Sequence, residues 1–197
     1  MSRRVVLDPE RKMFVDAVTA EPWTGQGKLK IGDQLSAWPV EIVGGRLLLW
    51  CGWWEPGEPD PSRWGQAGWD RFEDDVRAAS DEAERRGVEL WILPSAHGML
   101  SDAIGTASWA RRTGSTGVRL LVDPVGWLTD SMMVNAEDHL KRISELMIGC
   151  PLVGGVLLRA GGLVDPAGSV RAMRGLIDSA GVLVALDESE FALLDRA

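Results

Sequence analysis

The chain has 197 residues, 45% hydrophobic and 25% charged, which is ordinary for a globular protein and fits one domain, or one domain with a small appendage. A net charge of −8 and the absence of any cluster of five basic residues argue against a nucleic-acid partner, which needs a basic surface to meet phosphates. No apolar run reaches the ~18 residues of a membrane span, and the N-terminal MSRRVVLDPE lacks the apolar stretch of ~7–15 residues of a signal peptide, so a cytoplasmic protein without membrane contact is expected.

Residues 1–45 read as a β segment. RRVVL-DPER-KMFVDAV looks like two strands around a turn, and in PVEIV-GG-RLLLW the Gly44-Gly45 pair between apolar runs is the signal of a two-residue hairpin. The glycines of EPWTGQGK do not have the spacing of a phosphate loop and read as a turn.

Over residues 46–197 a unit recurs: an apolar run, a polar loop, an amphipathic helix and a closing glycine. The first run is RLLLW (46–50), and in GWDRFEDDVRAASDEAERRG the residues Trp69, Phe72, Val76, Ala79 and Ala83 share one helical face. Gly87 suits the left-handed position after that helix. The second run is VELWIL (88–93), with a helix capped by Ser101 that stops near Gly114. The third is VRLLV (118–122). In the helix that follows it, Ala136, Leu140, Ile143 and Met147 make the buried stripe, and Glu137 and Asp138 suit its positive end. VGGVLL (153–158) precedes a helix over residues 169–180, and VLVAL (182–186) precedes a last short helix, SEFALLDRA. Unbroken apolar runs of this kind are how parallel strands covered on both faces read. Five β-α units in series predict a parallel sheet with right-handed crossovers.

Ligands of parallel α/β sheets and barrels bind at the C-terminal ends of the strands. Those positions hold Trp53, Trp54 and Glu55 after the first run, Ser95 and His97 after the second, Asp123 and Trp127 after the third, Arg159 after the fourth, and Asp187 and Glu188 after the fifth. Each has a plainer reading. Asp123-Pro124 is one of four Asp-Pro pairs, with those at residues 8, 60 and 165, and Asp commonly opens turns. His97 is a loop histidine, Arg159 suits an ion pair as well as an anion, and Asp187 and Glu188 suit the cap of the last helix. Cys51 and Cys150 lie far apart at the edges of apolar runs and read as buried, reduced thiols. Ten Trp with no Tyr is the odd feature; several of these tryptophans lie in turn-like sequence, where packing explains them less well.

The order LLLWCGWWEPGEPDPSRWGQAGWDRFEDDVRAASDEAERRGVELWILP, GVRLLVDP, VGGVLL, GVLVALDE resembles the C-terminal five strands of the xylose-isomerase-like TIM barrels, a superfamily of sugar-phosphate isomerases and epimerases. The resemblance covers about 150 residues. It implies a shortened relative of the (β/α)8 barrel, since a full barrel takes ~250 residues. It also implies a metal site that this chain has largely lost. The family's glutamate position falls at Leu93, its aspartate at Asp123, the histidine three residues later at Gly126, the next strand's histidine at Leu157, and an acid survives as Asp187 or Glu188. A divalent ion needs three or four converging ligands; His97 is the one substitute nearby.

Two functional readings lead. The first is a barrel relative that binds a small, sugar-like ligand on its tryptophan and carboxylate rim, with no cofactor. The second is a working isomerase or epimerase with Asp123 or Glu188 as base and Arg159 or a divalent metal as stabiliser. A third is a structural or interaction module whose tryptophans are core. If the sheet stays open, its exposed edge calls for a covering partner such as a second copy of the chain.

Overall fold

The computed structural model describes residues 3–8, 13–14, 17–19, 46–51, 65–96, 98–114, 117–159, 163–185 and 188–194. The fold is α/β. Strands β4 (Arg46–Trp50), β5 (Glu89–Leu93), β6 (Val118–Val122), β7 (Val153–Leu158) and β8 (Val182–Ala185) run parallel in one sheet, in chain order. Between them lie helices α1 (Gln66–Arg85) and α2 (Ala103–Thr113). α3 (Asp130–Met133) and α4 (Ala136–Met147) follow β6, and α5 (Pro166–Ala172) and α6 (Arg174–Ser179) follow β7. The last helix is α7 (Glu188–Phe191). Among the described residues no helix is long and apolar enough to cross a membrane.

Three short strands precede β4: β1 (Arg3–Asp8), β2 (Met13–Phe14) and β3 (Ala17–Thr19). β1 and β3 flank β2 in antiparallel pairing, β3 lies parallel to β4, and β1 lies parallel to β8. The pairing therefore returns on itself as a closed barrel of eight strands. β4 sits in parallel between β3 and β5, which differs from the antiparallel hairpin expected at Gly44-Gly45; residues 39–45 themselves lie outside the described residues. With β1 beside β8, the described strands leave no open sheet edge, and the argument for a covering second copy loses its premise.

The helix boundaries show what local chemistry decides. Gly87 takes φ 65° after α1, and the N–H of Val88 reaches back to the carbonyl of Ala83 at 2.9 Å, closing the helix as expected. The cap of α2 is Asp102, one residue beyond the expected Ser101: its Oδ1 accepts from the N–H of Gly105 at 2.7 Å. The helix expected over 169–180 starts earlier, because Asp165 accepts from the N–H of Gly168 at 2.9 Å with Pro166 in the first helical position. It also breaks at Met173, whose N–H is shared between the carbonyls of Ser169 and Val170.

Alternate residues of the parallel strands belong to two separate apolar clusters. Leu49, Leu90, Ile92, Leu120, Val122, Val156, Leu158 and Leu183 pack with the helices, against Phe72, Val76, Trp109, Leu140 and Met147 among others. Among the described residues, Leu48, Trp91, Leu93, Leu121, Leu157 and Val182 form a second cluster on the interior face of the barrel. This is why the strands read as continuous apolar runs: each face has its own core.

Trp91 is the largest of the interior residues, and Gly154 and Gly155 make room for it. A Cβ on Gly154 would lie 2.8 Å from Cη2 of Trp91, and one on Gly155 would lie 3.0 Å from Cζ3 and 2.9 Å from the carbonyl oxygen of Val182. Pairing with β6 shifts register here, from Leu120–Val153 to Leu121–Gly155, so Gly154 is the extra residue. Gly155→Ala is therefore expected to destabilise the protein by about 1–3 kcal/mol through overpacking against backbone and indole. Urea denaturation measures this, and unchanged stability would mean that the interior has slack that the packing does not show.

Candidate functional site

Asp123 immediately follows β6 and Arg159 immediately follows β7, neighbouring strands paired through Val122 and Val156. Adjacent parallel strands thus bring together two charges that are 36 residues apart in the chain. Nη2 of Arg159 lies 2.8 Å from Oδ2 of Asp123. The other carboxylate oxygen, Oδ1, accepts from the N–H of Gly126 at 2.9 Å. Asp123 is 3% exposed, whereas the Arg159 side chain is 36% exposed, so the pair is buried at its acid end and open at its basic end.

The closeness of Gly126 is a requirement of this arrangement. A Cβ there would stand 2.5 Å from Oδ2 of Asp123, so a side chain at 126 would push the carboxylate off its partners. The same device recurs in the sequence: DPVG at 123–126 and DPAG at 165–168 each place an Asp oxygen on the N–H of a glycine three residues on, at 2.9 Å. Asp165 uses it on the surface, where its side chain is 60% exposed. The turn-opening role of Asp123 is therefore local; what sets it apart is its burial and a guanidinium at 2.8 Å, where the exposed Asp165 has Arg171 at 3.7 Å.

Burial pushes the Asp123 carboxyl above its ordinary value. The Arg159 guanidinium and the backbone N–H groups of Gly126 and Val125 pull against that rise, and the carboxylate of Glu190 adds to it. Glu190, on α7, is thus electrostatically part of the site. Sequence reasoning did not single out Glu190, because only the docked helix brings it near Asp123. Nε of Arg159 is buried and, among the described residues, has no hydrogen-bond partner.

The other expected site residues divide in two groups. Trp127 lies in a 3-10 turn (Val125–Trp127), is buried in the outer core and donates its indole N–H to the carbonyl of Leu100 at 3.1 Å. It packs the fold and presents no ring face to a ligand, which corrects its assignment to the rim. Trp53, Trp54, Glu55, His97 and Asp187 lie outside the described residues, and Glu188 is described only as part of the α7 backbone. Leu93 and Leu157, where the sequence reading expected the lost metal ligands, are both buried in the interior cluster, and Oδ2 of Asp123 lies on the Arg159 guanidinium. Among the described residues no group of three His, Cys, Asp or Glu stands close enough to hold a metal. Both cysteines are buried and neither forms a disulfide, and burial pushes the Cys51 thiol up to about 11, which keeps it protonated at neutral pH.

Comparison of the chain with protein-family models, with curated proteins and with solved structures finds no match. The site's chemistry therefore rests on its own geometry.

A carboxyl raised by folding binds its proton more tightly in the folded chain than in the unfolded one. Its stabilising contribution is full below the ordinary value of 3.8 and is lost as pH rises through the folded value. Asp123→Asn removes this dependence. The stability of the wild type relative to Asp123→Asn is expected to fall as pH rises from about 3.8. In an Arg159→Gln background the fall should extend to higher pH, because the strongest group opposing the shift is gone. Denaturation across a pH series tests this, and a difference that stays constant with pH would refute it.

Proposed function

We propose that this protein is a shortened relative of the (β/α)8 barrels of the xylose-isomerase-like type, and that it binds a small, neutral, sugar-like ligand at the C-terminal mouth without a metal. The observation that carries this reading is the buried ion pair of Asp123 and Arg159 at the ends of two adjacent barrel strands, the end at which ligands of such barrels bind. Among the described residues the Arg159 guanidinium is already paired with the Asp123 carboxylate, so the pair suits a neutral ligand better than an anion. It offers instead what a polyol needs. The Asp123 carboxylate accepts a ligand hydroxyl, and the partly exposed guanidinium of Arg159 donates to a ligand oxygen.

A second reading is favoured by one observation. The raised carboxyl of Asp123 moves toward values suited to proton transfer at working pH, and the adjacent Arg159 is placed to stabilise a developing enediolate. In that reading Asp123 is the acid-base group of an isomerase or epimerase.

A panel of neutral monosaccharides titrated by calorimetry separates the readings. Saturable binding that survives a chelator, and that weakens about tenfold or more in Arg159→Gln through the loss of charged hydrogen bonds, is the expected result. Absence of binding across the panel would remove the ligand reading. Turnover of a bound sugar, lost in Asp123→Asn with binding retained, would put the isomerase in its place.

A further inference from the structure

The opposite mouth of the barrel holds a second charged cluster. Arg46 is the first residue of β4 and stands level with Glu89, the first residue of β5. Arg119, near the start of β6, stands level with Trp91. Oε2 of Glu89 takes a 2.9 Å contact from Nε of Arg46 and another of 2.9 Å from the indole N–H of Trp91, and Oε1 lies 3.5 Å from Nε of Arg119. The Arg46 guanidinium also lies 5.0 Å from the centre of the Trp91 ring. One carboxylate thus holds two guanidiniums, and the cluster carries one positive charge in excess.

Both arginines are held through Nε. Among the described residues, their outer nitrogens make no hydrogen bond. The guanidiniums are partly open to solvent, with side chains 23% and 47% exposed for Arg46 and Arg119. β1 also begins here, with Arg3 and Arg4 beside Val182 and Leu183 at the start of β8. In a chain of net charge −8, a carboxylate and an indole thus fix Arg46 and Arg119 at one barrel end.

We propose that the N-terminal mouth of the barrel is a binding site for a small oxyanion, held between the outer guanidinium nitrogens of Arg46 and Arg119. The planar forks of two arginines match the oxygens of a phosphate or sulfate group. Fixing of the forks by Glu89 and Trp91 removes much of the ordering that binding would otherwise require. The excess charge is what the anion neutralises. The Glu89 carboxylate lowers the affinity while it holds the geometry, so the site suits an anion that exchanges freely.

Inorganic phosphate is the probe, followed by calorimetry and by the indole N–H resonance of Trp91, which reports on the Glu89 contact. The expected result is saturable binding that shifts this resonance, weakens about tenfold in Arg119→Gln and weakens less in Arg119→Lys, which keeps the charge and loses the fork. Arg77→Gln, which removes an exposed arginine paired with Asp74 on α1, should leave binding unchanged. Arg119 is about half exposed, so its replacement tests binding without testing folding. Failure of the wild type to bind phosphate saturably, or equal losses in Arg119→Gln and Arg77→Gln, would overturn the proposal. Neither outcome touches the reading of the opposite mouth.

Discussion

The packing of Trp91 across the barrel interior is the constraint on which the rest depends. A ring of parallel strands encloses a space that must be filled without voids or overlap. Here one indole takes up much of it, with Leu48, Leu93, Leu121, Leu157 and Val182 around it. The indole requires that β7 carry Gly154 and Gly155 where other strands carry side chains, and β7 shifts register against β6 at that point. Its N–H must find a partner, and Glu89 at the N-terminal mouth supplies it. The interior packing therefore fixes the polar cluster at that end.

The same filling shapes the other end. Leu93 and Leu157 close the interior just below the C-terminal mouth. Asp123 and Arg159 sit above this apolar floor. A carboxylate buried there without a partner would carry a large desolvation cost, and the guanidinium on the next strand offsets it. Among the described residues the two barrel ends thus carry different ion pairs: Asp123 with Arg159 at the C-terminal mouth, and Glu89 with Arg46 and Arg119 at the N-terminal mouth.

Much of the architecture was legible as local pattern. The five parallel strands coincide with apolar runs, and the stripe Phe72, Val76, Ala79 and Ala83 is buried as its spacing indicates. Gly87 ends α1 because only a left-handed residue closes that turn easily. Less legible were the shift of the α2 cap to Asp102 and the break at Met173. Both depend on which of two adequate local options docks against the sheet. Trp127 shows the limit most clearly. Its turn-like setting suggested a rim aromatic, and its burial against Leu100 follows from the path of a different β-α loop.

The sequence by itself determined the β-α repeat, the faces of the main helices and the local duty of Asp123, because each of these rests on contacts a few residues long. DPVG, like DPAG, folds an aspartate back onto a glycine N–H wherever it occurs. Only the tertiary structure decided that one of these aspartates is buried against Arg159 and influenced by Glu190 while the other stays on the surface. That difference comes from strand adjacency and helix docking, which bring distant residues within hydrogen-bonding distance and remove water from one carboxylate and not from its twin.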